Sequence, residues 1–191
     1  ATLRPALRAV TNATFFGLIA TTGMRVGEAI ALDRDDVDLG RGLLVVRKAK
    51  FNKWRRLPLH PSTVTALRLY AGRREELCRQ PRGSSFFVST RGTRLLQTCV
   101  HAVFAGLVNE VGLAPRPGAG RPRIHGLRHS FAVATLRDWY QAGDDVAARL
   151  PVLSAYLGHA DPSSTYWYLQ ADPELLGLAA QRLERFTEGP R

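Results

Sequence analysis

Cysteine is nearly absent from this chain. Cys78 and Cys99 are its only two cysteines among 191 residues, and they do not form a CxxC pair. This composition excludes a disulfide framework and a cysteine-based zinc site. The chain also lacks an apolar run of about 20 residues, which a membrane-spanning helix needs, and segment 1–20 lacks the apolar core and cleavage site of a signal peptide. These absences predict a globular protein of the cytoplasm.

Lysine is the second scarce residue. The chain has 27 lysine and arginine residues and 16 acidic ones, for a net charge of +11, yet only Lys48, Lys50 and Lys53 are lysines. A domain this basic predicts an anionic partner, with nucleic acid as the first candidate and a solvated arginine-rich surface as the alternative. Lysine can lose its proton when its environment lowers its pKa, whereas arginine cannot. Lysines confined to one segment indicate a need for a titratable ammonium there; chance clustering is the alternative.

The hydrophobic pattern predicts a mainly helical domain with a small antiparallel β-sheet, an α+β fold. Apolar residues recur at helical spacing through most of the chain, and two short strand-like runs indicate a hairpin whose tip carries the lysines. The predicted helices span residues 5–20, 25–32, 61–79, 95–111, 125–140, 146–157, 163–169 and 172–186. The predicted strands span 43–47 and 55–59, with a third candidate at 85–89. Residues 33–38 are predicted to form an acidic connection, and residues 113–123 an exposed loop.

Two arginines are candidates for binding a phosphate. Arg25 follows a Thr-Gly-Met turn at the predicted start of a helix, and Arg128 lies three residues after His125, on the same helix face. A planar guanidinium donates two parallel charged hydrogen bonds to a phosphate. Phosphoryl transfer asks mainly for positioning and charge neutralisation, so this pair suits it. Each arginine alone has a plainer interpretation, because lone charged residues are usually solvated.

A histidine and a tyrosine in the last third of the chain complete the pattern. His159 follows a glycine at the end of a predicted helix, and Tyr168 comes nine residues later. A phenolic oxygen can act as a nucleophile and form a covalent intermediate. Tyr166 is the rival, but residues two apart on a helix point about 200° apart, so only one can face a site. His129 directly follows the second arginine and is predicted to be structural, because adjacent helical residues do not face each other.

These motifs, in this order, resemble the catalytic domain of the tyrosine-type site-specific DNA recombinases, the phage integrase family. The resemblance lies in Thr-Gly-x-Arg-x-x-Glu at 22–28, the lysine-bearing hairpin with Lys50, His-x-x-Arg at 125–128, and Gly-His at 158–159 followed by Thr165 and Tyr168. It covers nearly the whole chain. The family spacing from His159 selects Tyr168, so Tyr166 and Trp167 are predicted to be packing residues.

The resemblance implies six catalytic residues, the last of them the nucleophile: Arg25, Lys50, His125, Arg128, His159 and Tyr168. The arginines are expected to hold the scissile phosphate, the tyrosine to attack it, and the first histidine to accept the phenolic proton. The second histidine is expected to hydrogen-bond the phosphate, and the lysine to protonate the departing 5′ oxygen as general acid. The resemblance of the hairpin to the family's lysine-bearing hairpin favours Lys50, with Lys48 and Lys53 as alternatives. Glu28 shares a helix face with Arg25 and is expected to orient it.

The same resemblance implies a function and an assembly. It implies a recombinase or integrase that cleaves and rejoins double-stranded DNA through a 3′-phosphotyrosyl intermediate, with no metal ion, cofactor or ATP. Residues 1–191 are expected to be one catalytic domain, without the helical DNA-binding domain that usually precedes it. The expected assembly is a homotetramer on DNA, and the expected location is the bacterial cytoplasm, at the nucleoid when DNA is bound.

Two questions stay open at this point. The C-terminal helix, predicted from Asp172 to Phe186, has an apolar face that suits docking on a neighbouring protomer or, equally, on its own domain. The rival functions are strand relaxation of the type IB topoisomerase kind and a catalytically silent DNA-binding accessory protein. A silent binder would have no need of Tyr168 or of a lone lysine cluster.

Overall fold

The computed structural model describes residues 3–49, 53–115, 120–159, 161, 163–171 and 173–187. The chain divides into two compact units, Ala1–Arg128 and His129–Arg191. The described residues form these helices: α1 (Leu3–Thr22), α2 (Val26–Ala31), α3 (Pro61–Leu77), α4 (Gln97–Glu110), α5 (His125–Gln141), α6 (Val146–Leu157), α7 (Ser163–Ala171) and α8 (Pro173–Thr187). Helix α5 begins in the first unit and continues in the second. None of the helices in these residues is long and apolar enough to cross a bilayer.

All eight predicted helices are present among the described residues, with bounds within two residues of those expected. Asp172, the predicted start of the last helix, lies outside the described residues. The agreement has a physical reason, because helical spacing and the residues that start and stop a helix are local properties of the sequence.

The first unit contains a three-stranded antiparallel sheet in the order β1 (Val37–Asp38), β2 (Leu43–Ala49), β3 (Lys53–Pro58). The predicted hairpin of β2 and β3 is confirmed, and so is the mainly helical fold with a small antiparallel sheet. Leu44 pairs with Leu57 across the hairpin, and both side chains are fully buried. Their burial fixes the register, since a slip of one residue would turn both side chains to the opposite face of the sheet.

The acidic segment 33–38 is more ordered than a connection, which corrects the sequence-based prediction. Residues Arg34–Asp36 form one turn of 3-10 helix, and the next two residues form β1. Asp36 is buried; its carboxylate accepts a hydrogen bond from the Asp33 amide at 3.0 Å and forms an ion pair with Arg47 of β2. The partner on β2 orders the segment, and local sequence patterns do not reveal such a partner.

The apolar segment 85–89 is not a strand of the sheet, so that prediction is wrong. It forms two isolated antiparallel bridges, Ser85 with Asp33 and Val88 with Arg94. Phe86 and Phe87 within it are buried as their apolar character demands. Composition therefore predicted burial correctly, whereas strand pairing depended on neighbours that are distant in sequence.

Aromatic side chains form the core of the first unit. Phe15 of α1 contacts Phe87 edge to face, with 5.2 Å between ring centroids, and Tyr70 of α3 contacts the same ring at 5.0 Å. The Tyr70 hydroxyl accepts hydrogen bonds from the Val88 amide at 3.1 Å and from the Thr11 hydroxyl at 3.4 Å. Burial raises the pKa of Tyr70, so the phenol stays neutral and its buried oxygen is satisfied by these donors.

Helices α1 and α3 run antiparallel. Thr11 in the first half of α1 contacts Tyr70, whereas Thr21 at its end accepts a hydrogen bond from Thr63 at the start of α3. The start of α1 therefore lies near the end of α3. The turn that follows α1 lies at the other end of this helix pair.

The helical spacing of apolar residues in α4 and α5 predicts that Leu107 and Ala134 face the core, but both are exposed instead. Leu107 of α4 is 40% exposed and Ala134 of α5 is exposed, while the neighbouring Val108 and Val133 are buried in their place. One residue corresponds to a rotation of about 100° around a helix, so a small error in the assumed face exchanges buried and exposed positions.

The second unit has its own apolar core. Its buried members are Ala132, Val133, Leu136, Val146, Leu150, Leu153, Leu157, Tyr168 and Leu175. Leu175 of α8 is 1% exposed in this core, so part of the apolar face of the last helix docks within its own unit. Leu176, the next residue, is 51% exposed. The side chains of Leu183 and Phe186 lie outside the described residues.

Truncation of Leu67 is expected to destabilise the first unit by about 2–5 kcal/mol, because it leaves a cavity beneath α3. Leu67 is 1% exposed, and Leu69 on the same helix is 68% exposed. Leu69→Ala is the matched control, with an expected change within about 0.5 kcal/mol. Urea unfolding of both variants measures the difference. Equal destabilisation by the two would mean that α3 does not pack on α1 through the Leu67 face.

Candidate active-site residues

A glycine-terminated turn positions Arg25. Gly23 has φ +61°, in the left-handed region that favours glycine, and its amide donates to the Ile19 carbonyl at 2.8 Å to end α1. Met24 is buried, and Arg25 is the extended residue that precedes α2, with φ −72° and ψ 146°. The chain therefore changes direction within three residues. Arg25 therefore lies at the start of the first turn of α2.

The Glu28 carboxylate holds Arg25 by two contacts. It accepts hydrogen bonds from the Arg25 backbone amide at 2.9 Å and from the Arg25 guanidinium at 3.0 Å. Arg55 of β3 donates two further hydrogen bonds, at 2.9 and 2.7 Å. Burial is the largest influence on this carboxyl and acts to raise its pKa, but the hydrogen bonds and charge of Arg55, with those of Arg25, outweigh it and lower the pKa of Glu28. Glu28 is therefore an anion between two cations.

Arg55 is a residue that sequence reasoning missed. Its side chain is 11% exposed, and it pairs across the hairpin with buried Val46. The strand pattern could have shown this. Arg55 lies two residues before buried Leu57 on β3, and residues two apart on a strand point to the same face, so Arg55 belongs to the inward face. A charged residue on an inward face needs a partner, and Glu28 is the partner the structure provides.

Helix α2 is also held at its other end. The Arg94 guanidinium donates to the Ile30 carbonyl at 2.7 Å and the Leu32 carbonyl at 3.4 Å, two acceptors at the end of the helix. It also donates to the Asp33 carboxylate at 2.5 Å. A hydrogen bond from Ser84, and then that from Arg94, lower the pKa of Asp33. A cation at a helix C-terminus is the favourable arrangement for its dipole.

Arg128 lies against the turn that precedes Arg25. Its side chain is 2% exposed, and its Nη1 donates to the Gly23 carbonyl at 2.7 Å. His125 is the first residue of α5 and is exposed, one helical turn before Arg128. The structure thus brings Arg128 to the segment that carries Arg25, within the first unit.

The three candidates for the general acid are the lysines of the β2–β3 hairpin. Strand β2 is described as far as Ala49 and β3 from Lys53, and these two residues pair with each other. Lys50 lies outside the described residues, as do the side chains of Lys48 and Lys53. The choice among the three lysines stays a prediction.

In the second unit His159 is fixed at the end of α6. Gly158, with φ +72°, ends the helix in the left-handed conformation. The His159 amide then donates to the Ser154 carbonyl at 3.0 Å, and its ring Nδ1 lies 2.7 Å from the hydroxyl of fully buried Thr165. This ring contact sets the orientation of the imidazole, and whether Nδ1 donates or accepts depends on the tautomer.

Tyr168 lies beside this histidine and is buried, at 4% exposure. Its ring stacks on that of His159 with 6.0 Å between centroids, and His129 contacts its ring at 5.4 Å. Tyr166 is 49% exposed, so the expectation that it packs is wrong. Trp167 is 57% exposed, but its ring packs edge to face against that of His129, with 5.5 Å between centroids. Helix α7 has one covered face. Thr165 and Tyr168 are three residues apart and share that face, whereas the two residues between them point away from it.

The placed candidates form two groups. Arg25, Glu28, His125 and Arg128 belong to the first unit, with Arg55 added by the structure. His159 and Tyr168 belong to the second unit, with Thr165 and His129 against them.

The family model described as the phage integrase family matches residues 2–174 of this chain. The chain belongs to the phage integrase family. A relative from Sinorhizobium fredii, which carries the provisional name integrase/recombinase y4rE, is 46% identical over 176 residues, covering 92% of this chain and 56% of the relative. The tyrosine recombinase XerD of Mycobacterium tuberculosis is 33% identical over 159 residues, covering 82% of this chain and 47% of that protein.

Solved recombinase structures are similar to this one. The crystal structure of XerA recombinase matches with a TM-score of 0.72 at 27% identity, over 99% of this chain and 62% of that one. The XerH site-specific recombinase, in a post-cleavage complex with its palindromic difH substrate, matches with a TM-score of 0.70 at 26% identity, over 94% of this chain and 48% of that one.

The family expectation drawn from the sequence is confirmed: the chain is a tyrosine recombinase catalytic domain in family and in fold. It spans about half the length of the two curated relatives described above. The roles of the individual site residues stay predictions.

Glu28→Gln is expected to lower the free energy of unfolding by about 1–3 kcal/mol at neutral pH, because Arg55 loses a charged acceptor. The folded-state pKa of Glu28 lies below its ordinary value of 4.5, so its ionised form contributes stability fully above that value. The contribution declines as the pH falls below 4.5 and is lost below the folded-state pKa. Urea unfolding at a series of pH values should therefore show wild type and variant converging in acid.

Glu76→Gln is the matched control for this experiment. Glu76 pairs with Arg73 at 3.0 Å, but both side chains are more than 60% exposed. An exposed pair contributes about 0–1 kcal/mol, so this variant should differ little from wild type at any pH. If Glu28→Gln behaved like Glu76→Gln, the carboxylate would not bind its two arginines as the structure has it.

Proposed function

We propose that this protein is a site-specific DNA recombinase that cleaves and rejoins strands through a 3′-phosphotyrosyl intermediate, without metal ion, cofactor or ATP. The observation that carries the proposal is the hydrogen bond from Arg128 to the Gly23 carbonyl. It holds one guanidinium against the turn that positions a second, that of Arg25. Two guanidiniums near one point suit the two non-bridging oxygens of a phosphodiester.

The arginines supply charge neutralisation in this mechanism. As the phosphorus becomes five-coordinate, negative charge grows on its non-bridging oxygens, and donors that are already positioned stabilise it without reorganisation. Glu28 and the Gly23 carbonyl fix the two guanidiniums before the DNA arrives. His159 donates a further hydrogen bond to the phosphate, with its ring oriented by Thr165.

Tyr168 is the nucleophile, and it holds the cleaved strand through a covalent bond. Its oxygen forms a bond to phosphorus as the bond from phosphorus to the 5′ oxygen breaks, and His125 accepts the phenolic proton. Lys50 gives a proton to the departing 5′ oxygen. A phosphodiester is replaced by a phosphotyrosyl diester, so the bond energy is conserved and no ATP is needed. The 5′-hydroxyl of a partner strand then attacks the phosphotyrosine and releases Tyr168.

Double-stranded DNA is the proposed substrate. The net charge of +11 supports it, and so does the similarity to XerH, whose structure was solved bound to its palindromic difH substrate. The proposed catalytic domain comprises residues 1–191, and the proposed assembly on DNA is a homotetramer at the bacterial nucleoid. The exposed Leu176 of α8 is available for a contact between protomers.

A covalent-trapping experiment tests the chemistry. The full-length protein and its Tyr168→Phe and Tyr166→Phe variants are incubated with a nicked duplex that carries the recombination site, in chelator and without ATP, and are then run on a denaturing gel. A protein–DNA adduct is expected with wild type and Tyr166→Phe but not with Tyr168→Phe. Phenylalanine keeps the packing of either ring, so loss of the adduct reports the missing oxygen.

Other outcomes of this experiment select the rivals. An adduct that survives Tyr168→Phe and is lost with Tyr166→Phe would refute the assigned nucleophile. No adduct from wild type would favour a silent DNA-binding accessory protein. A parallel reaction on supercoiled plasmids that carry the site tests the other rival: relaxed plasmid with no strands exchanged between sites would indicate a topoisomerase.

The lysine assignment has a separate chemical test. Lys48, Lys50 and Lys53 are each changed to alanine, and cleavage is compared on an ordinary site and on one whose scissile 5′ oxygen is replaced by sulfur. A thiol has a pKa of about 8.5, far below that of an alcohol, and leaves without a proton. Only the variant that lacks the general acid should be slow on oxygen and restored on sulfur. Rescue of Lys48→Ala or Lys53→Ala instead would move the role to that residue.

A further inference from the structure

An arginine-lined cleft lies in the first unit, at the start of α1 and the end of α3. Its volume is about 290 Å³, and the arginines on its walls are Arg4, Arg79, Arg82 and Arg91. All four are exposed. They come from two segments, 79–82 after α3 and 89–92 in the following turn, together with the first turn of α1.

The two segments are held together by a close backbone approach. The Arg82 amide donates to the Gly92 carbonyl at 2.7 Å. Gly92 has φ +74°, and a Cβ at this position would lie 3.2 Å from both the Cys78 sulfur and the Gln80 carbonyl oxygen. Only glycine permits this approach without displacement of the chain. The backbone of these two segments is therefore held in place, and it carries three of the four cleft arginines.

The arginines of this cleft carry uncompensated charge. No acidic residue is among its described lining residues. The ion pairs of the described chain involve other arginines, such as Arg41 with Asp38 and Arg73 with Glu76. Four guanidiniums around one concavity repel one another, and an anion that enters relieves the repulsion and accepts several charged hydrogen bonds at once.

The cleft is separate from the candidate catalytic residues of the first unit. Arg4 lies in the first turn of α1, whereas Arg25 follows the end of that helix. The 18 residue-to-residue steps from Arg4 to Thr22 span about 27 Å, at about 1.5 Å per step. A phosphate bound by Arg25 and Arg128 therefore lies at the opposite end of the helix pair from the cleft.

We propose that this cleft binds a backbone phosphate of the substrate duplex at a distance from the cleaved bond. The inference rests on the proposed function for its choice of duplex DNA as the source of the phosphate. We take the duplex to run alongside α1, so that a distance of about 27 Å corresponds to about eight base pairs of B-form DNA at about 3.4 Å per pair. The contact therefore forms only when the duplex extends at least about that far from the scissile phosphate, and it adds affinity without reading sequence.

The test compares two double variants of the full-length protein that remove the same charge. Arg82→Gln/Arg91→Gln removes two cleft arginines. Arg41→Gln/Arg73→Gln removes two exposed arginines that already have acidic partners. Binding is measured as a function of salt on duplexes that end about four to about sixteen base pairs from the cleavage point.

The cleft variant is expected to bind the longer duplexes about 5–10-fold more weakly than wild type. The slope of log affinity against log salt concentration should become shallower by about one to two, because about one to two fewer counterions are released. On duplexes that end before about eight base pairs it should equal wild type. The control variant should lie close to wild type at every length. Equal losses in the two variants, or a loss that does not depend on duplex length, would overturn the proposal. Binding is read without cleavage, so a failure of the proposed chemistry would appear only in the trapping experiment.

A labelling experiment separates DNA from a free anion. Cys78 lines the cleft and is half-buried, so its alkylation by a maleimide, in a protein whose other cysteines are serine, reports occupancy. Long duplexes should slow the labelling and short ones should not. Protection by inorganic pyrophosphate at low concentration, with none from long duplexes, would show that the cleft takes a free polyphosphate and would overturn the DNA assignment.

Discussion

The candidate site of the first unit depends on the ion pairs that the Glu28 carboxylate forms with Arg25 and Arg55. Helix α2 has only six residues, which is too short to be stable by its own backbone hydrogen bonds. Its position is set by charge: Arg55 approaches from β3, Arg25 from the preceding turn, and Arg94 binds the carbonyls at the other end. One short helix is thereby connected to the sheet, to α1 through the Gly23 turn, and to the segment before α4.

This arrangement explains how an arginine-rich domain keeps two guanidiniums in place. Side chains of arginine lose considerable rotamer freedom when they are ordered, and a site that orders them on substrate binding would lose affinity by that amount. Here Arg25 is ordered by a carboxylate and Arg128 by a backbone carbonyl, before any substrate is present.

Local features were predictable from the sequence, and features that depend on distant partners were not. The helices follow from apolar periodicity, and the turn at Gly23 from its position after an apolar helix. Strand β1 and the order of the acidic segment required Arg47, which no local pattern connects to Asp36. Arg55 was missed because its importance lies in a partner 27 positions away. The one-residue errors at Leu107 and Ala134 arose because helix faces were assigned without knowledge of the neighbouring helix.

Tyr168 is at once a proposed reactive group and part of the packing of the second unit. Its ring packs among apolar side chains and lies against the rings of His129 and His159, so the packing of that unit determines its position. Under the proposed function, a substitution in this core that never touches DNA would displace the phenolic oxygen and slow strand cleavage.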